Sequence, residues 1–309
     1  MNNTEKKTDI DFLLNAPLLE LVSLADKTRK EFAGQGFELC SIINAKSGRC
    51  SEDCKFCAQS ARHCTDIAVY PLRDKKHILN AARKAKENGA QRFGIVTSGN
   101  RLKKTELDTI TEAITEIKNT VEIDICCSLG AMEKSQLAAL KEAGLSRYHH
   151  NIETSERFYP RIVSTHSFEQ RLDTIRAAKE TGLDVCSGGI IGMGEDWQDR
   201  LDMAVMLKKL DVDSVPINLL IPIKGTALEK LNPISCADAV RTICIFRVIL
   251  KDKTIKIAAG RETVLKDFQA LGLMAGANGM LIGGYLTVKG RDVAEDHKLV
   301  REIKKIWSK

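Results

Sequence analysis

The stretch LCSIINAKSGRCSEDCKFC, residues 39–57, joins an apolar strand to a loop that carries three cysteines. The cysteines are Cys50, Cys54 and Cys57, in a CxxxCxxC spacing, and we call residues 50–57 the three-cysteine loop. Thiolates are preferred ligands of soft iron–sulfur centres, and three of them on a short loop can hold three corners of a four-iron cube. The fourth iron is then open to a substrate or a cofactor.

Structural zinc is the alternative use of a CxxC finger. Closed zinc sites take four protein ligands, usually from paired knuckles. The chain has no second CxxC. The spacing therefore favours an iron–sulfur centre over zinc.

Outward from this loop, β-rich runs alternate regularly with longer helical patterns. The pattern predicts eight strands, at residues 39–44, 92–97, 121–127, 147–152, 184–191, 214–220, 255–258 and 278–282. The helices predicted between them have apolar residues three and four positions apart and cover residues 75–88, 106–118, 134–143, 168–181, 199–210, 237–250 and 264–271. Gly89, Gly144 and Gly182 stand where a left-handed residue would end a helix. Eight βα units predict an α/β fold, a complete (β/α)8 TIM-type barrel.

The barrel predicted in this way extends over about residues 37–290. It carries an N-terminal helical extension and a charged C-terminal helix at 293–307, and no repeat or linker interrupts it. A single domain over 1–309 is therefore predicted. Barrel enzymes carry their chemistry at the C-terminal ends of the strands, and the three-cysteine loop follows the first strand at that end.

Composition narrows the classes of function. Lys and Arg (47) only slightly outnumber Asp and Glu (41), and they are spread along amphipathic segments, so no nucleic-acid binding is indicated. The apolar stretch 12–24 is interrupted by polar residues and proline, so neither a signal peptide nor a membrane span is predicted. A cytoplasmic protein is the expectation, and ten cysteines in a reducing compartment indicate metal or redox chemistry rather than disulfides.

Further motifs follow the loop in a fixed order. They are YHHN at 148–151, CSGGIIGMGE at 186–195, VPINLLIPIKGT at 215–226, AAGRE at 258–262 and MAGAN at 274–278. Together with NAKSGRCSEDCKFCAQS at 44–60, the series resembles the biotin synthase family of the radical S-adenosylmethionine superfamily over roughly residues 37–285. The CxFC part of the loop alone is typical of the whole superfamily.

The resemblance implies an activity and its partners. Members of the family cleave S-adenosylmethionine reductively to a 5′-deoxyadenosyl radical, abstract hydrogen from dethiobiotin and insert sulfur supplied by a second cluster inside the barrel. A radical of this reactivity needs tight placement, because an error of about 1 Å can cost on the order of a hundredfold in rate. Reduced flavodoxin or ferredoxin as the electron donor and a homodimeric assembly are also implied.

The resemblance assigns the cofactor residues one by one. It makes the three loop cysteines the ligands of the radical 4Fe–4S cluster and places Gly188 and Gly189 near the methionine moiety of S-adenosylmethionine. Glu153 stands where the family usually has an aspartate on the ribose hydroxyls, and Arg171 matches an arginine that pairs with the cofactor's carboxylate. A tight turn would equally explain the glycines, and a solvated charge would explain the arginine.

Two asparagines are assigned to the substrate. Asn151 matches a residue that reaches both the cofactor and the ureido ring, and Asn218 in VPIN matches a second residue on the ureido group. An amide offers a donor and an acceptor, as a cyclic urea requires. His149 replaces the asparagine of the usual YNHN, and no role is assigned to it.

The pattern departs from the family at the second cluster. In the familiar biotin synthases, three cysteines and one arginine hold a two-iron cluster. Cys126 and Cys186 match two of these cysteines, but the third position is Gly94 and the arginine position is Lys256. An ammonium cannot ligate iron unless burial removes its proton. Loss of sulfur insertion is one interpretation.

A second interpretation brings in Cys40 on the first strand. Strand alternation turns Cys126 inward and Cys127 outward, so Cys40, Cys126 and Cys186 form what we call the inner trio, on strands one, three and five of the barrel. Three thiolates with a non-protein fourth ligand predict an auxiliary four-iron cluster with an extra sulfide, similar to the variant of obligate anaerobes, and otherwise a 2Fe–2S cluster. Gly94 would leave room for the larger cluster. The alternative is that Cys40 and Cys126 are ordinary buried apolar residues.

The remaining cysteines, Cys64, Cys127, Cys236 and Cys244, are given no functional role. Competing functions stay open at this point. Hydrogenase-maturation and pyrrolysine-pathway enzymes share the three-cysteine loop, and a non-catalytic iron–sulfur carrier is a third class. The asparagine of VPIN, the YxHN run and the inner trio favour the biotin synthase family.

Overall fold

Parallel strands alternate with α-helices through residues 10–288 and 290–308, which are the residues that the computed structural model describes. The strands are β1 (Glu38–Lys46), β2 (Arg92–Thr97), β3 (Asp124–Ser128), β4 (Arg147–His149), β5 (Asp184–Cys186), β6 (Gly189–Ile191), β7 (Ser214–Leu219), β8 (Thr254–Ile257) and β9 (Gly279–Leu281). The helices are α1 (Leu18–Phe32), α2 (Lys75–Glu87), α3 (Lys104–Thr120), α4 (Lys134–Glu142), α5 (Phe168–Glu180), α6 (Trp197–Lys209), α7 (Cys236–Leu250), α8 (Arg261–Val264), α9 (Gln269–Met274) and α10 (Val293–Trp307).

The strands form a closed barrel. Their order is β5-β4-β3-β2-β1-β9-β8-β7-β6, and every pair between neighbouring strands is parallel. A pairing of β5 with β7, between Cys186 and Ser214, closes the ring. Since β5 and β6 are two parts of one interrupted strand, the barrel is eight-stranded. The predicted (β/α)8 TIM-type fold is confirmed, as are the helix before β1 and the C-terminal helix.

The break between β5 and β6 departs from the predicted strand at 184–191. The carbonyl of Gly188 accepts hydrogen bonds from the backbone N–H groups of Ile152 and Glu153, at 3.0 and 3.1 Å. The N–H of Gly188 donates to the side chain of Asn151 at 3.1 Å. Gly188 therefore bonds to the segment after β4, and the regular strand is interrupted there.

The helix predicted at 264–271 is also divided. The structure has α8, a 3₁₀ turn at Lys266–Phe268 and then α9. The positive φ of 47° at Lys266 turns the chain out of the helical path. The other predicted helices form with bounds shifted by a few residues at most, and Gly89, Gly144 and Gly182 end their helices with φ values of 78°, 115° and 71°.

Side-chain caps fix several helix starts. Ser167, Asp196, Ser235 and Asp292 each accept a hydrogen bond from a backbone N–H in the first turn of α5, α6, α7 and α10. At the other end of the chain, Trp307 of α10 packs on the ring of Phe37 just before β1. The start of β1 is therefore covered by α10.

None of the helices in residues 10–288 and 290–308 combines the length and the apolar character that a membrane span needs.

Candidate functional site

The three-cysteine loop begins at the C-terminal side of β1 and is held by its own backbone. The N–H of Cys50 donates to the carbonyl of Gln59 at 3.0 Å, and the N–H of Ala61 donates to the carbonyl of Cys50 at 2.7 Å. The N–H of Cys57 donates to the carbonyl of Cys54 at 2.9 Å, which closes a tight turn. Backbone hydrogen bonds therefore hold the segment that carries the three cysteines.

Two acidic residues of the loop attach it to the segment after β4. The carboxylate of Asp53 accepts from the N–H groups of Ser164 and Thr165, at 2.9 and 3.2 Å, and from both hydroxyls. Although burial acts in the opposite direction, the hydrogen bonds from Ser164 and Thr165 hold the pKa of Asp53 below its usual range. Glu52 contacts His166, with 2.7 Å between Oε2 and Nδ1. The loop is therefore anchored between its first and second cysteines.

The loop thiols suit an iron–sulfur cube. Burial raises the pKa of Cys57 to about 11 and moves that of Cys54 further in the same direction, while the nearby charge of Arg171 lowers it. A charge on Cys57 or Cys50 also raises the pKa of Cys54. Buried thiolates need a compensating positive centre. Among the described residues, no three His, Cys, Asp or Glu side chains are arranged to hold a single metal ion. The role of the loop cysteines as ligands of a four-iron cluster stays a prediction.

Arg171, on the first turn of α5, is buried beside this loop. Its Nε donates to the hydroxyl of Tyr159 at 2.7 Å, and its Nη1 donates to the carbonyl of Asn151 at 2.9 Å. Nη2 lies 3.1 Å from Nε2 of His166, and Nη1 lies 3.7 Å from a carboxylate oxygen of Glu153. The interpretation of Arg171 as a solvated surface charge is therefore wrong.

The donor and acceptor roles in this network define the state of His166. A guanidinium can only donate, so Nε2 of His166 accepts from Arg171 and Nδ1 carries the hydrogen that goes to Glu52. Burial and the charge of Arg171 lower the pKa of His166, although Glu52 acts against this. A neutral imidazole therefore connects the three-cysteine loop to Arg171. The contact between Glu52 and His166 could not be predicted from the sequence, since 114 positions separate the two residues and no motif includes both.

The predicted cofactor residues Asn151, Glu153, Gly188 and Gly189 meet at the end of β4. The Asn151 amide accepts from Gly188 N–H at 3.1 Å and donates to Glu153 at 3.3 Å. Glu153 has a φ of 69°, and burial raises its pKa. A Cβ on Gly188 would lie 2.0 Å from the carbonyl oxygen of Pro216, and one on Gly189 would lie 2.2 Å from that of Glu153. Close packing of protein backbone thus accounts for both glycines, and their role toward a cofactor stays a prediction.

Asn218 lies on β7, which is separated from β4 in the barrel by the interrupted strand β5 and β6. Its Nδ2 donates to the carbonyl of Gly189 at 3.2 Å, and its Oδ1 accepts from the N–H of Ala259 at 3.2 Å. An amide has two N–H groups and two lone pairs. One donor and one acceptor of Asn218 therefore remain for a ligand.

The inner trio lies inside the barrel. Cys126 pairs with Gly94 on one side and Arg147 on the other, and Cys186 pairs with His149. Burial raises the pKa of Cys40 and Cys126, and a charge on Cys186 raises it further. Cys127 belongs to the apolar core, whereas the trio does not. The alternation predicted for β3 is confirmed, and the ligand role of the trio stays a prediction.

Lys256 lies against the inner trio. Its Nζ is 3.1 Å from Sγ of Cys40 and 2.5 Å from a carboxylate oxygen of Glu38. Burial alone would lower the pKa of Lys256, but Cys40, Cys186 and Glu38 together raise it above its usual value. Lys256 is therefore an ammonium and cannot ligate iron. Against the effect of burial, Lys256 and His149 lower the pKa of Cys186 to about 6.

Gly94 leaves less room than the sequence suggested. A Cβ on Gly94 would lie 2.9 Å from Cγ2 of Ile42 on the neighbouring strand β1. The side chain of Ile42 therefore fills the space beside Gly94 in this structure, and a larger cluster would have to displace it.

Comparison with known families identifies the class of protein. A family described as the Radical SAM superfamily matches residues 45–207, and the Biotin and Thiamin Synthesis associated domain matches residues 216–304. The closed barrel and the three-cysteine loop therefore define a radical S-adenosylmethionine enzyme.

Curated relatives narrow this class. The chain is 54% identical over 270 residues to a biotin synthase of Thermotoga neapolitana, across 87% of this chain and 96% of that protein. It is 50% identical over 289 residues to a biotin synthase of Thermotoga petrophila, across 93% and 96%. The chain belongs to the biotin synthase family. A solved methylornithine synthase has a TM-score of 0.81 at 22% identity, over 97% of this chain and 92% of that one, and supports the fold alone.

Proposed function

We propose that the protein forms biotin by inserting sulfur into dethiobiotin with S-adenosylmethionine as the radical source. One observation carries the proposal. The three-cysteine loop is connected by Glu52 and His166 to Arg171, which contacts Asn151 and lies near Glu153. The residues assigned to the cluster and to the cofactor are therefore neighbours in one buried network.

The three loop cysteines would hold three irons of the radical 4Fe–4S cluster. When bound, this cluster supplies the electron that splits the sulfonium of S-adenosylmethionine. The guanidinium of Arg171 offers a positive charge to the cofactor's carboxylate, and Glu153 offers acceptors to its ribose. Both side chains are mostly buried, at 12% and 11% exposure, so these contacts act where water is excluded.

The substrate would lie between β4 and β7. Asn151 follows β4 and Asn218 lies on β7, and each uses part of its amide to hold the backbone of Gly188 or Gly189. The free donor and acceptor of Asn218 match the N–H and C=O groups of a ureido ring. The side chains that bind substrate are thus themselves held in place, which limits the error in positioning the reacting carbons.

The inner trio would hold the auxiliary cluster that donates sulfur. Three converging thiols without a ligating arginine support a four-iron cluster with an extra sulfide, with a two-iron cluster as the alternative. The ammonium state of Lys256 supports the four-iron cluster, because a protonated lysine cannot serve as the fourth protein ligand of a two-iron cluster.

Further parts of the proposal concern the whole protein. Reduced flavodoxin or ferredoxin would supply electrons, and the protein would act as a homodimer in the cytoplasm, where its ten free cysteines stay reduced. The chain would work as a single domain, because both family matches contribute strands to one closed sheet.

Anaerobic incubation with dithionite and S-adenosylmethionine tests the proposal. We expect 5′-deoxyadenosine, and we expect dethiobiotin to increase its yield and to be converted to biotin. Absence of 5′-deoxyadenosine from cluster-loaded protein would exclude a radical enzyme and favour an iron–sulfur carrier. A yield that does not respond to dethiobiotin would favour an enzyme of the hydrogenase-maturation or pyrrolysine-pathway type.

A further inference from the structure

Buried cations surround the inner trio. Arg92 on β2, Arg147 on β4 and Lys256 on β8 are each less than one-tenth exposed. All three contact the carboxylate of Glu38, the first residue of β1, at 3.5 Å, 2.8 Å and 2.5 Å respectively. One partly buried carboxylate, with 21% of its side chain exposed, thus pairs with three buried positive charges.

The other carboxylates that contact these cations lie at the rim of the barrel. Asp124 is 3.2 Å from Arg92, and Asp184 is 3.5 Å from Arg147, but their side chains are 61% and 50% exposed. Ion pairs with exposed groups are weakened by solvent. The chamber beside the trio therefore keeps an excess of positive charge, which suits an anionic occupant.

Each cysteine of the inner trio has a strand partner with an unused hydrogen-bond donor. Arg92 pairs with Cys40, Arg147 pairs with Cys126, and Ser214 pairs with Cys186. The Nε of Arg147 and the hydroxyl of Ser214 are buried and have no hydrogen-bond partner among the described residues. The Nε of Arg92 likewise makes no hydrogen bond there, although it is the atom that lies 3.5 Å from Glu38. A buried donor without a partner lowers the stability of the folded protein.

The unused donors and the thiols of the inner trio lie on the same side of the sheet. Paired residues on neighbouring parallel strands direct their side chains to the same face of the sheet, so the three donors and three thiols face the same interior. The inorganic sulfides and thiolate sulfurs of an iron–sulfur cluster accept hydrogen bonds, and such bonds help to set its reduction potential. An acceptor in the chamber would satisfy all three donors at once.

We propose that Arg92, Arg147 and Ser214 donate hydrogen bonds to the sulfurs of the inner cluster, and that Lys256, held by Glu38, is its counter-charge beside Cys40. These are positioning residues, and they raise the reduction potential of the cluster because donors and positive charge stabilise its reduced, more anionic state. The inference rests on the proposed function, since it requires a cluster at the inner trio.

Ser214→Ala and Lys256→Met test the inference in anaerobically reconstituted full-length protein. We expect Ser214→Ala to retain its iron and to shift the midpoint potential of the inner cluster to a more negative value. We expect Lys256→Met to shift it in the same direction and to lose iron and sulfide from the inner site faster during gel filtration. Lys256→Arg should restore retention because it keeps the charge.

Ser187→Ala is the matched control, because Ser187 also has a buried hydroxyl without a partner among the described residues but is not a strand partner of the trio. The radical cluster serves as an internal reference, and its potential should not change. Unchanged inner potentials in both Ser214→Ala and Lys256→Met, or an equal shift in Ser187→Ala, would overturn the inference. If Lys256→Met does not fold, Ser214→Ala alone decides. Wild-type protein that binds only the radical cluster would overturn the auxiliary-cluster part of the proposed function as well.

Discussion

His166 accepts a hydrogen bond from Arg171 at 3.1 Å, between Nε2 and Nη2, and this contact joins two parts of the site. The other imidazole nitrogen donates to Glu52 of the three-cysteine loop at 2.7 Å. The position of the guanidinium therefore depends on the position of the loop. In the proposed function, the residue that meets the cofactor's carboxylate is oriented by the same loop that holds the radical cluster.

Replacement of His166 tests this connection. His166→Leu removes both hydrogen bonds, and we expect weaker binding of S-adenosylmethionine to the cluster-loaded protein. A hydrogen bond to a charged group contributes about 1.5–3 kcal/mol. Its loss corresponds to a decrease of about tenfold or more in the affinity for S-adenosylmethionine. Equilibrium dialysis measures the affinity. His166→Gln keeps an acceptor and a donor and should lose less. Equal affinity of His166→Leu and the wild type would show that Arg171 is positioned without the imidazole.

Substitution of Gly189 tests the close backbone approach. A Cβ there would lie 2.2 Å from the carbonyl oxygen of Glu153, so Gly189→Ala must move the segment after β4. Overpacking of this kind costs about 1–3 kcal/mol, and we expect a fall of several degrees in Tm. Gly36→Ala is the control, since its Cβ would have no neighbour closer than 4.0 Å. Thermal unfolding that is the same for both variants would contradict the geometry.

Iron analysis tests the inner trio. Two four-iron clusters predict about eight irons per chain, and Cys40→Ala should retain about four, in the radical cluster. Cys127→Ala should keep them all, because Cys127 belongs to the apolar core rather than to the chamber. Iron and sulfide contents with Mössbauer spectra after anaerobic reconstitution provide the measurement. A Cys40→Ala protein with both clusters would remove Cys40 from the ligand set.

Stability should depend on pH through two histidines. Burial lowers the pKa of His150 and His166 in the folded protein, whereas a histidine in the unfolded chain has a pKa of about 6.5. Below that pH the unfolded chain binds more protons, so the free energy of unfolding should fall as the pH falls from about 7 toward 5. Urea unfolding at several pH values measures this slope. His166→Gln should have a shallower slope, and an unchanged slope would exclude His166 as a contributor.

The barrel was predictable from sequence because strand and helix periods differ and glycines mark the helix ends. The break at Gly188 was not predictable, since it depends on hydrogen bonds from Ile152 and Glu153, which are distant in sequence. The division of the helix at 264–271 depends on one residue, Lys266, in a left-handed conformation that lysine rarely adopts.

The site was predictable where its residues form local motifs. The spacing of the three-cysteine loop and the alternation that turns Cys126 inward can both be read along the chain. The charge around the inner trio cannot, because Glu38, Arg147 and Lys256 come from three separate strands and meet only when the barrel closes. The same holds for His166, whose partners lie on the loop and on α5.

In the proposed function, the three-cysteine loop binds a four-iron cluster with one open corner, and S-adenosylmethionine binds at that corner. A crystal structure of anaerobically purified protein with S-adenosylmethionine is the decisive measurement. We expect a four-iron cluster on Cys50, Cys54 and Cys57 whose fourth iron contacts the cofactor. Zinc at this position, or a protein side chain on the fourth iron, would contradict it.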